Sequence, residues 1–419
     1  MRKYLLYISI LLCSTFSLPV VAQEQETTLE EEVDIPETMI WAIDSLLNDW
    51  KTKQYMNLEK ECKTSENNPH FPDSIYMDRL SRIPTVMEMP YNPVIRQFID
   101  LYAVRLRDQV SYMLSATNFY IPIFEEALDA YNLPIELKYL PIIESALNPV
   151  AISRAGATGL WQFMFGTGKE YGLEQNSLVD ERKDPIKSTW AAARYLNDLY
   201  EIYEDWNLVI AAYNCGPGNI NKAIRRAGGT KDYWAIYNYL PKETRGYVPA
   251  FIAANYVMTY YCDHNICPIE STLPVVSDTL LINKELHFDQ ITALCNIEKE
   301  QLRSLNPQYN KDLIPGNNKP YALRLPQEVI PVFIEQQDSI YNYNKEKLFP
   351  KRATVSTAKP KVKPAPKPKQ TGTIHYRIRR GDSLSTIARR HRVTVKQIRQ
   401  WNNLKGDRIE AGKTLKIIK

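Results

Sequence analysis

Apolar residues recur at helical spacing through the middle of the chain. Val94, Phe98, Leu101, Tyr102 and Arg105 fall on one helical face, and Phe124, Leu128 and Tyr131 repeat the pattern. Residues 189–203 read as an amphipathic helix entered through Asp184-Pro185, and residues 247–261 as another, packed through Ala250, Ala253 and Ala254. Gly- and Pro-marked stretches at 156–159, 166–172, 215–218 and 228–229 read as loops between them. Residues 89–265 are therefore expected to form a helical domain whose loops carry the unusual residues. Near the end the period changes. Ile374-His375-Tyr376-Arg377-Ile378 alternates as a strand does, and Gly381-Asp382-Ser383-Leu384 turns into a helix capped by Asp382 or Ser383. Ile387 and Ala388 then face inward, Val393, Val395 and Ile398 lead to Trp401-Asn402, and Gly412 precedes a strand over 414–418. Strand, helix, helix, strand in under 50 residues is a small α+β module.

That module has an earlier copy. Ile291, Ile297, Leu302, Leu305 and Asn306 precede Ile387, Val393, Ile398, Trp401 and Asn402 by a constant 96 residues. Leu323 and Leu325 precede Leu415 and Ile417 by 92, so the first copy, expected over 266–340, carries a loop four residues longer. It lacks the Gly-Asp-Ser turn. Between the copies, residues 341–372 include the run Lys359-Pro360-Lys361-Val362-Lys363-Pro364-Ala365-Pro366-Lys367-Pro368-Lys369, an extended semi-rigid linker. Charge is segregated accordingly. Residues 350–419 hold 20 Lys and Arg against 3 Asp and Glu, net +17, while the whole chain is +4, leaving −13 on the rest. A basic tail on an acidic body points to an anionic polymer as partner.

One carboxylate stands out. Leu137, Leu140, Pro141 and Glu144 are spaced by three, four and seven, which on a single helix puts the acid on an apolar stripe. Burial there disfavours the charged form and raises the carboxyl pKa, and an acid still protonated near neutral pH can donate a proton to a glycosidic oxygen. No Asp or Glu occurs from 145 to 169, so the neighbourhood offers no second carboxylate of the kind ordinary glycosidases use.

Glu144-Ser145 opens a longer series: Pro149, Ala151, Ser153, Gly156-Ala157-Thr158-Gly159, Leu160-Trp161-Gln162-Phe163-Met164, Ala211-Ala212-Tyr213-Asn214-Cys215-Gly216-Pro217-Gly218 and Leu240-Pro241-Lys242-Glu243-Thr244-Arg245-Gly246-Tyr247-Val248-Pro249. In this order it resembles the catalytic core of the lytic transglycosylases with a lysozyme-like fold, and the C-terminal module resembles a LysM domain. The arrangement is most similar to the membrane-bound lytic transglycosylase D type. The resemblance implies a mainly α chain, a lysozyme-like helical catalytic domain at 89–265 followed by LysM modules of βααβ form, the second intact at 373–419. It implies Glu144 as the catalytic acid and base, with Ser153, Gln162, Tyr213, Asn214 and Tyr247 holding the substrate. Gly381, Asp382, Ser383 and Leu384 border the glycan groove of the LysM module. Trp161, where part of the family has Met, reads as cleft wall or core. The implied partner is the N-acetylglucosamine–N-acetylmuramic acid strand of peptidoglycan. No cofactor, metal or nucleic acid is implied, and oligomeric state is left open. A goose-type lysozyme-like hydrolase and a non-catalytic wall-binding protein are the competing readings.

Compartment and cysteines complete the picture. Arg2 and Lys3 precede an apolar run over 4–12, and Val20-Val21-Ala22 offers a cleavage site before Gln23, so residues 1–22 read as an export signal and the protein as periplasmic or envelope-associated. Residues 23–88 read as an acidic leader and an N-terminal helical region without an assigned role. Five cysteines follow the signal, an odd number. Cys262 and Cys267 bracket a small loop that a disulfide would close; a zinc site there lacks a second ligand pair.

Overall fold

The computed structural model describes residues 68–349, apart from 270, 272 and 275, and residues 373–418. The export signal, most of the acidic leader and the Pro/Lys linker lie outside them. The described residues form two compact units, one ending at Phe349 and one after it.

The first unit opens with helices α1 (Asp73–Arg82) and α2 (Pro93–Asp100), a π turn (Leu101–Arg105) and the long α3 (Arg107–Ala130). A 3-10 turn (Ile135–Tyr139) runs into the short α4 (Leu140–Ser145), and α5 (Phe165–Glu170) follows after a loop. Next come α6 (Pro185–Tyr203), α7 (Trp206–Cys215) and α8 (Pro217–Arg226), then α9 (Lys242–Arg245) and α10 (Tyr247–Tyr260). Helix α10 is buried almost all round, from Tyr247 to Met258, and is the post on which the others pack. Side-chain caps start several helices. Asn92, Asp184 and Asp205 accept backbone N–H bonds at α2, α6 and α7, with Pro93 and Pro185 in the first turns.

Three local expectations change. The stripe from Leu137 to Glu144 is not one helix. Pro141 fits only a first turn, so the segment splits into the 3-10 turn and α4, although Leu137, Leu140, Pro141 and Glu144 all stay buried. Residues 166–172, read as a loop, are largely helix α5; Gly168 lies where a Cβ would meet the Gln175 and Arg182 side chains. The helical region expected before 89 is not separate from the domain that follows it. Tyr76, Leu80 and Met87 join the same core as Phe98 and Tyr256, and Arg79 donates to the Tyr256 hydroxyl at 3.0 Å.

The first copy of the repeat comprises β1 (Ser277–Ile282), β2 (Glu285–His287), α11 (Phe288–Leu294), α12 (Lys299–Leu305), β3 (Leu313–Pro315) and β4 (Tyr321–Pro326), extended by α13 (Val329–Glu335) and α14 (Gln337–Asn342). Strands β1 and β4 pair antiparallel, and so do β2 and β3. The second unit is β5 (Thr373–Arg377), α15 (Leu384–His391), α16 (Val395–Trp401) and β6 (Thr414–Ile418), with β5 and β6 antiparallel. The repeat is legible atom by atom. Asn306 accepts from the Arg324 N–H at 2.8 Å and donates to the Arg324 and Leu302 carbonyls. Asn402 does the same with Lys416 and Ile398. In both copies one asparagine amide, buried in the first and half-buried in the second, ties the second helix to the closing strand.

The first copy is welded to the helical body. Val179, from the loop before α6, is fully buried in the first copy's core, while Leu305 of α12 belongs to the helical core. Asp180 N–H donates to Gln308 O and Asn310 N–H to Leu178 O, both at 2.9 Å. Lys319 pairs with Glu174 at 2.6 Å, and the Tyr321 hydroxyl donates to the same carboxylate. The long loop between α12 and β4 supplies most of these contacts.

Substituting Val179→Asp places an unpaired charge in that seam, where burial is expected to cost roughly 3 kcal/mol or more. Calorimetry should show the helical domain and the first copy melting together at a lower temperature, with the 373–418 transition unmoved. Separate melting of the helical domain and the first copy in the unmodified chain would refute the weld.

Candidate active site

Glu144 sits one residue before the end of α4 and is 7 % exposed. The chain turns sharply there: Ala146 and Leu147 both adopt positive φ (50° and 60°), closing the helix with N–H bonds to Ile142 and Pro141. Gln162 is also at positive φ (46°). Left-handed backbone costs a residue with a Cβ of the order of 1 kcal/mol, so three such positions gather around one acid. Ser145 holds the turn from inside, its hydroxyl bonded to Pro141 O and Leu160 O.

The loop facing the acid is clamped by a residue that sequence reasoning passed over. Arg182 donates to the carbonyls of Gly156 (3.0 Å) and Phe163 (3.1 Å) and pairs with Asp180 at 2.8 Å. Gly159 (φ 87°) lies so close that a Cβ there would sit 1.9 Å from the Arg182 carbonyl oxygen, which explains the glycine. The only hint in the sequence was the charge-dense run from Asp180 to Asp184. Trp161 is fully buried and donates to Thr189 at 2.9 Å, so it is core.

Tyr247, the first residue of α10, donates its hydroxyl to Glu144 Oε1. Tyr213 at the end of α7 donates to Trp161 O at 2.7 Å, beside Gln162. The residue is half-buried, and burial, reinforced by the Glu144 charge, pushes its hydroxyl pKa well up. Gln162 Nε2 donates to Gly159 O (2.9 Å) and Ala151 O (3.2 Å), which fixes the amide orientation and leaves Oε1 buried without a protein partner among the described residues. Asn214 Oδ1 accepts from Thr244 at 2.9 Å. Ser153 Oγ accepts from Ala157 N–H at 3.0 Å and organises its own loop; it makes no described bond to Glu144. The structure thus brings Glu144 and Tyr247 into direct contact and sets Tyr213, Gln162 and Asn214 on supporting bonds nearby.

Burial raises the Glu144 pKa to about 8; the Tyr247 hydrogen bond opposes the shift and the negative charge of Glu243 adds to it. The carboxyl is therefore protonated at neutral pH and poised to give up its proton. Glu243, exposed on α9, was not singled out from the sequence.

In the second unit, Gly381 takes φ 92°, and Asp382 accepts from the Tyr376 hydroxyl (2.8 Å) and Arg379 N–H (2.9 Å). Ser383 caps α15 in a reciprocal box with Thr386, and Leu384 is buried in the module's core. These four residues build the turn. Trp401 is partly buried against the same core. Elsewhere, Cys262 is a free thiol and Cys267 is disulfide-bonded, so the small 262–267 loop is not closed by a disulfide. No helix among the described residues is long and apolar enough to cross a membrane.

Three regions of the chain match known protein families. Residues 122–236 match the transglycosylase SLT domain, residues 276–342 the LysM-like domain of lytic transglycosylase MltD, and residues 376–417 the LysM domain. The chain thus carries a region that matches the transglycosylase SLT domain, followed by two regions that match modules of LysM type. Among named proteins it is similar to membrane-bound lytic murein transglycosylase D of Escherichia coli K12, at 29 % identity over 68 % of this chain and 60 % of the relative. It also resembles the soluble lytic murein transglycosylase of the same organism, at 32 % identity over 28 % of this chain and 19 % of the relative. The crystal structure of the Escherichia coli 70 kDa soluble lytic transglycosylase matches 36 % of this chain and 26 % of its own, with 27 % identity and a TM-score of 0.30. The chain spans about 60 % of the length of the first of these relatives.

The raised pKa has a cost to stability whose sign is fixed. The folded carboxyl binds its proton more tightly than the unfolded one, near 4.5, so stability is full below 4.5 and is lost as pH rises towards 8. Glu144→Gln removes that loss. The variant should match the parent at pH 4 and exceed it at pH 8 by on the order of 4 kcal/mol, read from denaturant unfolding. A difference independent of pH would mean that Glu144 titrates normally.

Proposed function

We propose that this chain is a peptidoglycan lytic transglycosylase that cleaves the β-1,4 bond between N-acetylmuramic acid and N-acetylglucosamine and leaves a 1,6-anhydro end. The reading rests chiefly on one observation: a buried carboxyl, raised to about 8, that meets a tyrosine hydroxyl rather than a second carboxylate. Glu144 gives its proton to the bridging O4 as the bond from C1 breaks, and positive charge develops at C1. The resulting carboxylate then takes the proton of the C6 hydroxyl while O6 bonds to C1. Glu144 ends protonated as it began, one proton has passed in net from O6 to O4, the C1–O4 bond is exchanged for C1–O6, and no water enters. Tyr247 stabilises the transient carboxylate by its hydrogen bond and keeps the acid aimed. Gln162 presents Oε1 as a lone acceptor for a substrate N–H or O–H, and Asn214, its Oδ1 held by Thr244, keeps its amide hydrogens to donate. Tyr213 walls the same side. Ser153 acts through the shape of its loop. Gly381, Asp382, Ser383 and Leu384 shape the turn of the C-terminal module that binds the wall. The protein works as an exported enzyme at the cell envelope.

Glu144→Gln should lower muropeptide release by at least 10²–10⁴-fold, the usual worth of one general acid–base group. Mass spectrometry of digested sacculi should find 1,6-anhydro ends with the parent and none with the variant. Reducing ends instead would identify a hydrolase, and undiminished release by the variant would remove Glu144 from the mechanism.

Deleting residues 373–419 should weaken sedimentation with sacculi while sparing turnover of short soluble glycans, because a tethered module chiefly raises local substrate concentration. Salt should weaken binding only in part, since charges beyond roughly 8–10 Å are screened, and chitin oligomers should compete for the remainder. Binding abolished by moderate salt and indifferent to chitin oligomers would leave only a polycation.

A further inference from the structure

A line of contacts runs from the first repeat copy to the loop that carries Gln162. At the seam, residues 178–180 of the helical body lie against residues 308–310 of the copy as a short antiparallel bridge, with Val179 opposite Tyr309. The Asp180 N–H and the Asn310 N–H close it, donating to Gln308 O and Leu178 O. Lys183 Nζ adds a bond to Asn310 Oδ1 at 2.9 Å. Val179 is fully buried in the copy's core, so the copy sets where this stretch of backbone lies.

Asp180 passes that position on. Its carboxylate takes one edge of the Arg182 guanidinium, Oδ1 accepting from Nε at 3.0 Å and Oδ2 from Nη2 at 2.8 Å. A guanidinium is a rigid planar fork, so fixing one edge aims the remaining nitrogen. That nitrogen, Nη1, donates to Gly156 O and Phe163 O. The two carbonyls bracket the tight loop 158–163, which Thr158 and Phe163 close by a reciprocal pair of backbone bonds, and Gln162 lies inside it. The side chains of Arg182 and Asp180 are only 10 % and 13 % exposed, so solvent screens the pair little. We propose that Asp180 is a positioning residue for Gln162, and that the first repeat copy acts through it on the active site. The effect on turnover rests on the function proposed above; the coupling between copy and loop does not.

Amide hydrogen exchange on the full chain tests the coupling without substrate. Val179→Ala loosens the seam, and Asp180→Asn removes the charge while keeping the shape. In both variants the Thr158 and Phe163 amides should exchange faster, by roughly tenfold more than amides within α10, as a local opening does. Kinetics on soluble glycans then tests the consequence. Each variant should raise KM by roughly fivefold, the worth of one neutral hydrogen bond made to substrate and transition state alike. Neither should raise it further in a Gln162→Ala background, because residues that act through one side chain are not additive. A merely destabilised enzyme would lose active molecules and leave KM unmoved. Equal acceleration in the loop and in α10, an unmoved KM, or KM effects that persist at full size beside Gln162→Ala overturns the proposal. Exchange is read without glycan cleavage, so failure of the coupling and failure of the transglycosylase reading are seen separately.

Discussion

The desolvation of Glu144 is the constraint around which the helical domain is arranged. A carboxyl so buried keeps its proton at neutral pH, and everything in contact with it manages the consequence. Tyr247 gives it one hydrogen bond, which opposes the effect of burial without cancelling it. The bond spans 103 residues of sequence and fixes the start of α10 against the end of α4. Because α10 is buried along nearly its whole length, the position of that tyrosine is set by the core itself and not by a mobile loop.

Strain is placed beside the same acid. Ala146, Leu147 and Gln162 all hold left-handed backbone, and none is glycine. Such positions persist where the surroundings over-determine them. Here Ser145, Arg182 and the Gly159 approach do so, pinning the loop from two sides. The Oε1 of Gln162, buried without a partner among the described residues, adds to that cost, since an unsatisfied buried acceptor is destabilising.

The two repeat copies show one scaffold put to different uses. Both keep the asparagine that ties helix to strand, Asn306 in one and Asn402 in the other. The first has turned its longer loop to the helical body through Gln308, Asn310 and Lys319, joined by Tyr321 at the start of β4, so it serves as a brace. The second stands as a compact unit of its own with a small core of Ile378, Leu384, Ile387, Ala388, Ile398, Leu415 and Ile417.

Much of this was legible in the sequence because it is local. Helical periodicity marked α6 and α10, the Asp184-Pro185 cap marked where α6 begins, and the 96-residue offset disclosed the repeat, since each signal lies within one element or in a direct comparison of two. The apolar surroundings of Glu144 were likewise evident from spacing, even though Pro141 breaks the helix that the spacing implied. What sequence did not disclose is what depends on distant residues meeting. Arg182 clamping the loop, Glu243 adding to the acid's pKa, α1 completing the core and Val179 crossing into the first copy have no periodicity to betray them. A hydrogen bond or a buried contact between residues far apart in the chain is fixed by packing, and packing is decided only when the whole domain closes.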